Sequence, residues 1–430
     1  MTVAIAGLVL LNVTTVFSLT LLPMGASLGP ACVFWDLVAL LGAVLPTAYS
    51  VQVLLKSCPR ALTLFDAITC ATGVPLGAFV VLCEWFAAVT FTVPMLQFVA
   101  LAVDSALRGA AGLSSSGPAL ACAVAAQVVL LTAVQWHGME QTTKALWILA
   151  LLGVAPLLAM AAGVAWISGE NLAAPVTSSL LQPGASLVVF GFAGIEVSAF
   201  HMRESSSDTY RDAVLISAVL IFLLYASGQL LVAALVPHES LRVEDGTIQA
   251  LRIATAGNPV AFTLLCMLAA IGGFASALPW LIGPIRGVAQ LLQQEEHKMV
   301  LVQSATCAAL GWVFMCTSAS SGFWLLAAAS ATATQAMYLA IFAACWHAKC
   351  RDRWDAVVVL GAVTSSVGFG LSLLPPSTIR IPAVGYITTL LTPIALFWGL
   401  AVCQGRSSGG SITLDAAASD PILGSGDRRR

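Results

Sequence analysis

Long apolar runs separated by short polar segments divide most of the chain into twelve parts. Each run has about the 17 to 25 residues, or somewhat more, that an α-helix needs to cross a bilayer. The pattern therefore predicts an all-α membrane protein, with twelve transmembrane helices in a single polytopic domain at 1–403. The predicted spans are 4–28, 32–55, 73–106, 118–136, 144–167, 186–202, 211–236, 259–293, 299–318, 322–346, 355–374 and 383–403.

Two of these runs are predicted to be interrupted. The first run holds Pro23 and Gly25 within the segment 18–30, and the sixth holds Gly191 and Gly194. Proline and glycine at membrane depth free backbone groups that protein, water or ligand must satisfy. Breaks in helices one and six are what a 5+5 inverted repeat would place face to face at the bilayer midplane.

Two segments outside the runs also carry predictions. The outward loop from Pro237 to Gly257 has apolar residues at Ile248, Leu251 and Ile253, which predicts a short surface helix. The residues after 403 are rich in Ser, Gly and Asp, so we expect a disordered cytoplasmic tail at 404–430.

The composition agrees with a membrane protein and excludes other classes. Hydrophobic residues make up 59% and charged residues 9% of the chain, with a mean hydropathy of +0.95, whereas soluble domains have roughly 25% charged residues. The net charge of −2 is scattered, so no nucleic-acid surface is expected. The eleven cysteines lack zinc-site spacing, which favours packing roles and predicts neither a metal nor another cofactor.

The distribution of basic residues predicts the orientation. With a cytoplasmic N-terminus, fourteen of the eighteen Lys and Arg residues fall inside, and Arg108, Arg242, Arg252 and Arg380 fall outside. This is the bias that the positive-inside rule describes. We therefore expect a multi-pass protein with both termini cytoplasmic, located in the plasma membrane.

Four titratable residues in the apolar runs are candidates for function, because ionisable groups at membrane depth usually mark a site or pathway. Glu196 is interpreted either as a pairing group at the hinge or as a proton-coupling group. His201 titrates in the useful range, although a helix cap is the alternative. Glu84, half-way along its run, ranks above Asp36, which lies only a turn in. The candidate coupling residues are therefore Glu196, His201 and Glu84.

The glycines of the sixth run have two interpretations. Gly191 and Gly194 could serve close helix packing, but the matching interruption in the first run favours an unwound substrate site. In such sites half-helix N-termini attract a carboxylate and free carbonyls accept an ammonium. We expect a carboxylate group of the substrate near the amides of Met24–Ser27 and an ammonium group near the carbonyls of Phe190–Ala193.

Two aromatic residues in later runs are further candidates. Trp280 lies well before the cytoplasmic Arg286, which favours the interior over an aromatic belt. Tyr338 follows several polar residues, which indicates either a hydrated face or interhelical hydrogen bonds. We find no phosphate-binding loop, H-E-x-x-H or G-x-S-x-G motif, so no enzyme activity is expected. The polar residues before Tyr338 are Ser330, Thr332, Thr334 and Gln335.

Several motifs together resemble the amino acid–polyamine–organocation transporters, most closely the bacterial glutamate/γ-aminobutyrate antiporter branch. Gly194–Ala199, with His201 and Glu204, resembles that branch's G-V-E-A-S-A-x-H-x-x-E element. Trp280–Gly287 is similar to W-I-V-G-P-S-R-G. Further likenesses are Arg211-Asp212 to the family's R-D, Pro94-Met95-Leu96 with Phe98 to P-M-L-x-F, and Leu373–Pro376 to the loop before the last helix.

The resemblance implies a leucine-transporter-type fold with helices 1–5 and 6–10 as inverted repeats and helices 11 and 12 peripheral. It also implies alternating access around a site formed by helices 1, 6, 8 and 10. The candidate substrate-binding residues are Thr20, Pro23, Met24, Gly25, Ala26, Ser27, Phe190, Gly191, Ala193, Gly194, Glu196, Ser276, Trp280, Thr334 and Tyr338.

The chain departs from the antiporter pattern at polar positions. Thr20–Pro23 replaces a Tyr-Glu-Tyr-Pro sequence, Ser276 replaces an acid and Thr334 replaces a tyrosine. These losses favour a smaller or more apolar amino acid than glutamate. We expect secondary active transport of amino acids, as an antiporter or a proton-coupled permease. The alternative is a non-transporting amino-acid sensor or scaffold derived from a transporter.

Overall fold

In the computed structural model, all regular secondary structure in the described part of the chain is helical. The described part comprises residues 2–58, 61, 63–108, 117–136, 152–167, 182–195, 207–317, 319–349, 355–376, 379 and 381–407. Within these residues nine helical segments are long and apolar enough to cross a membrane, and two shorter apolar helices accompany them. The total of twelve spans and the inverted repeat remain predictions.

The described α-helices are numbered here in chain order. They are α1 (Thr2–Val16), α2 (Leu22–Ala26), α3 (Ala31–Ala39), α4 (Leu45–Ser57), α5 (Leu64–Thr72), α6 (Val74–Arg108), α7 (Gly117–Trp136), α8 (Ala155–Trp166), α9 (Pro183–Gly191), α10 (Ser207–Leu235), α11 (Gly246–Ala254), α12 (Pro259–Leu292), α13 (Glu296–Thr317), α14 (Ala319–Lys349), α15 (Ala356–Ser372) and α16 (Ala383–Ser407). Further helical structure is formed by the 3₁₀ turns Leu19–Leu21 and His238–Ser240 and by the π-helical segment Leu40–Val44.

The fully described long helices begin and end close to the predicted boundaries, and local chemistry explains the ends. At the start of α12, the Asn258 side chain accepts the N–H groups of Val260 and Ala261, each at 3.1 Å. This is an N-cap that satisfies two of the helix's unpaired donors. At the other end, Gln293 adopts the left-handed conformation (φ 53°) that often terminates helices.

Burial distinguishes central from peripheral helices. Of an apolar 18-residue stretch in each helix, 83% is buried in α6 and 89% in α14. The corresponding share is 28% in α7 and 17% in α16. The peripheral helices expose large apolar side chains such as Val129 and Leu396. A chain with this distribution needs an apolar solvent around α7 and α16, which the bilayer supplies.

The short helix α5, between α4 and α6, was not predicted. Thr63 accepts the N–H of Asp66 at 3.1 Å, and the Asp66 carboxylate accepts the N–H of Thr63 at 3.0 Å. This reciprocal capping box fixes the start of the helix. A disulfide joins Cys58, just before α5, to Cys70 within it. Sequence reasoning, which assigned most cysteines to packing, did not predict this pair.

The predicted loop helix is present as α11, but one face is buried rather than exposed. Ile248 and Leu251 are buried, and the Thr247 hydroxyl donates to the carbonyl of Leu19 at 2.9 Å. The helix therefore covers one end of the interrupted first span. At the C-terminus, α16 runs to Ser407 instead of 403, and the rest of the predicted tail, 408–430, lies outside the described residues.

Candidate functional site

The first span is interrupted at Phe17 and Ser18. α1 ends at Val16, Ser18 is extended (φ −136°, ψ 128°), and the chain resumes as a 3₁₀ turn leading into α2. Pro23 lies in the first turn of α2, where a proline has no hydrogen bond to lose. The break is therefore at the N-terminal end of the predicted segment, and Pro23 lies within the helix that follows it.

Tyr225 of α10 bridges this break. Its hydroxyl donates to the carbonyl of Val16 at 2.8 Å and accepts the N–H of Ser18 at 3.1 Å. Its ring also contacts Phe17 from the first interruption and Phe192 from the second, with centroids 5.2 and 5.0 Å apart. One buried side chain thus satisfies freed backbone groups and touches both interrupted spans.

Two side chains of α12 lie against neighbouring carbonyls at the same break. The Trp280 indole N–H donates to Thr15 O at 3.0 Å. The Ser276 hydroxyl lies 3.4 Å from Phe17 O and 3.0 Å from Gly272 O. Because the last carbonyls of a helix lack intrahelical partners, these contacts cap α1 with protein groups.

The second interruption follows α9. After the last helical residue, Gly191, the N–H of Ala193 donates to Phe190 O at 2.8 Å, and Gly194 has φ +111°. A side chain at Gly194 would be strained, and its Cβ would come within 3.1 Å of Thr15 Cγ2. The two interruptions are therefore in direct contact, and glycine permits the approach.

A small cavity of about 20 Å³ lies beside this contact, with room for about one water molecule. Glu84, the only charged residue among its described lining, is half-buried there. A second cavity of about 30 Å³, which includes Phe17 and Ser276, lies along α1 and α12. The first cavity is lined by Thr15, Glu84, Ala87, Ala88, Gly194, Pro279, Trp280, Gly283, Pro284, Thr334 and Met337.

Three aromatic rings from different helices meet next to this cavity. Phe91 of α6 lies 4.8 Å from Phe190 and 5.2 Å from Trp280, and the last two are 5.7 Å apart, measured between ring centroids. The edge-on contacts of Phe91 are of the kind that stabilises aromatic packing. Phe91 was not a sequence candidate.

Two predicted site residues carry buried hydroxyls, and one of them, Thr334, lines the first cavity. Thr20 in the 3₁₀ turn and Thr334 in α14 are each 1% exposed, and neither hydroxyl has a hydrogen-bond partner among the described residues. Buried polar groups are normally paired. Tyr338, one turn beyond Thr334, is buried but is not part of the cavity lining.

The structure changes the interpretation of Pro23–Ser27. The amide of Ser27, expected to be free, donates to Pro23 O at 3.0 Å, and its hydroxyl donates to Met24 O at 2.6 Å. A Cβ on Gly25 would collide with the Gln229 side chain. These residues, including the buried Ala26, form a packed helix rather than unwound backbone.

The two remaining candidate coupling residues, Glu196 and His201, lie outside the described residues. The described part of the chain contains no group of three His, Cys, Asp or Glu side chains that could hold a metal ion.

Sequence comparison decides the family to which this arrangement belongs. The family model described as amino acid permease matches residues 3–400. The chain belongs to the amino acid permease family. Membership makes it a multi-pass membrane transporter and agrees with the antiporter resemblance drawn from the motifs.

Two curated relatives are also transporters. The permease is 26% identical over 370 residues to a Legionella pneumophila protein described as an uncharacterized transporter, covering 79% of each chain. It is 24% identical over 245 residues to the glutamate/gamma-aminobutyrate antiporter of Lactococcus lactis subsp. cremoris, covering 52% of this chain and 48% of that protein.

Tyr225 is the main contributor to the site that sequence reasoning missed. A signal existed, because a buried tyrosine in an apolar run needs a partner for its hydroxyl. The sequence could not identify that partner, since Val16 O becomes available only where α1 ends.

Proposed function

We propose that this permease carries amino acids by alternating access, as an antiporter or as a proton-coupled permease. The observation that carries the proposal is the contact between the two interrupted spans, Gly194 against Thr15, beside a cavity with one carboxyl group. Interrupted helices that meet within a bilayer are a recurrent architecture of transporter sites.

In this proposal the cavity supplies opposite charge to the substrate's ammonium group. Glu84 is positioned to attract it, and the C-terminal end of α9 adds a partial negative charge. The Thr334 hydroxyl is available to the substrate carboxylate. With no described cation in the lining, a neutral side chain suits the site better than that of glutamate.

Access requires the helices to move, because a cavity of about 20 Å³ is far smaller than an amino acid. We propose that the first, second, sixth and seventh spans rock against the others. This motion would break the bonds from α12 at Trp280 and Ser276. The bond from Tyr225 would persist, because α1 and α10 would move together.

A sensor or scaffold is the second candidate, and one observation favours it. Side chains of the protein already donate hydrogen bonds to the carbonyls of Thr15 and Val16. These backbone groups are therefore not open to a ligand in this conformation. A protein that binds its ligand without transporting it would not need the helices to move and free these carbonyls.

Counterflow in proteoliposomes separates the two candidates. Liposomes preloaded with one amino acid at a time, at two pH values, would be tested for uptake of the same labelled compound. The transporter proposal expects uptake for at least one amino acid, absent from protein-free liposomes. Thermal stabilisation by an amino acid without any counterflow would support the sensor. Folded protein showing neither result would reject both.

A further inference from the structure

A buried carboxyl group lies away from the cavity. Asp36 of α3 is 0% exposed, and one of its oxygens, Oδ1, accepts the Nε2–H of Gln229 at 3.2 Å. Gln229, of α10, is 1% exposed. Sequence reasoning ranked Asp36 below Glu84 because it lies near a helix end, but the structure encloses it completely.

Two oxygens of this pair lack a donor. Asp36 Oδ2 and Gln229 Oε1 are both buried and have no hydrogen-bond partner among the described residues. An ionised carboxylate and an amide oxygen can both only accept hydrogen bonds. A protonated carboxyl group, in contrast, donates one. A proton on Asp36 therefore adds the donor that these two oxygens lack, so that the acid and the amide can each donate and accept a hydrogen bond.

No cation faces Asp36 in the described structure. Cys32, on the same helix, and Tyr225, on α10, are titratable groups near Asp36. The packed segment α9 has no charged residue, and Arg211, the basic residue of α10, is roughly 27 Å along the helix from Gln229. An ionised Asp36 would thus be an uncompensated buried charge.

The pair is connected to the interrupted first span. Gln229 packs against Gly25 of α2, and Tyr225, one turn before Gln229, holds the ends of the break. A π-helical segment begins at Leu40, one turn after Asp36, and such segments are frequent at functional sites. A change of charge at Asp36 would therefore act on elements that contact the break.

We propose that Asp36 is the proton-binding group of the permease. In this conformation it is a neutral acid paired with Gln229. When the helices rearrange, it releases H⁺ to water and becomes a carboxylate, and it takes up H⁺ again on the return. This proposal rests on the proposed transport function and names its coupling ion.

The protonation state can be measured without a substrate. Infrared spectra of the reconstituted protein at about pH 7, where an ordinary aspartic acid is ionised, should show the carbonyl stretch of a protonated carboxylic acid. The band should be lost in Asp36→Asn and kept in Asp212→Asn, a control at an exposed acid of α10. A spectrum unchanged by Asp36→Asn would overturn the proposal.

If Asp36→Asn does not fold, Gln229→Leu provides the same test. It keeps the acid and removes its partner, so the band should move to higher frequency, as for a carboxylic acid without hydrogen bonds. A band that does not move would also overturn the proposal.

Coupling is tested by flux. For an amino acid identified by counterflow, an imposed pH gradient should drive accumulation in the parent and in Asp212→Asn. Asp36→Asn should retain counterflow but lose the accumulation. Gradient-driven accumulation in Asp36→Asn would contradict the assignment. Absence of counterflow in the parent would reject the transport function and leave the infrared result as a separate finding.

Discussion

At the scale of single residues, Tyr225 links the two interruptions. Its hydroxyl satisfies Val16 O and the Ser18 N–H, and its ring lies against Phe17 and Phe192. Freed backbone groups in a bilayer have no water to satisfy them. The geometry of the break therefore depends on a side chain from a distant helix.

We predict that Tyr225→Phe destabilises the permease by roughly 1–3 kcal/mol, because it leaves buried backbone groups unpaired, and that it also slows amino-acid counterflow. Tyr386→Phe is the matched control, since its hydroxyl donates to Ser372 O at 3.1 Å, between α15 and α16. It should lower stability similarly and leave counterflow intact. Equal counterflow in the two variants would show that the Tyr225 contact has no role in transport.

Asp245, just before α11, gives a prediction about pH. Burial raises the pKa of Asp245 to about 6, although nearby Arg242 opposes the change. The folded state therefore binds this proton more tightly than the unfolded state. The resulting stabilisation is complete below about pH 4, the ordinary value, and is lost as the pH rises through about 6.

Hydrogen exchange of α11, corrected for intrinsic rates, should therefore increase as the pH rises from about 4 to about 6. Asp245→Asn should remove this pH dependence. Glu239→Gln, at an exposed acid of the same loop, should keep it. An identical pH profile in Asp245→Asn and the parent would contradict the assignment.

At the scale of helices, α10 and α12 have different roles at the break. Both cap the end of α1, but the proposed rocking separates α1 from α12 and not from α10. The Trp280 bond to Thr15 O is therefore one that opening must break.

Trp280→Phe keeps an aromatic ring and removes the indole N–H. Loss of about 1 kcal/mol from the closed state should increase opening, so hydrogen exchange at residues 17–21 should rise by about fivefold. Trp312→Phe, at a half-exposed position of α13, should leave exchange unchanged. Unchanged hydrogen exchange in Trp280→Phe would show that opening does not break the bond between Trp280 and Thr15 O.

The position of the first break shows what the sequence could not predict. Pro23 and Gly25 signal an interruption, yet the chain leaves helical geometry at Phe17 and Ser18. Gly25 instead makes room for Gln229. Helix-breaking residues identify the span correctly, but the exact place depends on partners such as Tyr225, which lies about 200 residues away in sequence.

At the scale of the molecule, hydropathy predicted most of the helical framework. The predicted 73–106 and 259–293 correspond to α6 (Val74–Arg108) and α12 (Pro259–Leu292), because the width of the bilayer fixes where apolar runs begin and end. The contacts of Phe91, Gln229 and Asp36 required the assembled structure. They arise between helices and leave no periodic pattern in the sequence.

The central claim is that the touching interruptions form the transport site, and Gly194 tests it most directly. The measurement is amino-acid counterflow by Gly194→Leu, compared with Gly399→Leu on α16, where a side chain would meet open space. At φ +111° a leucine is strained and would press against Thr15. We predict that Gly194→Leu folds and inserts but loses counterflow, while Gly399→Leu retains it. Counterflow at the parental rate in Gly194→Leu would contradict the account.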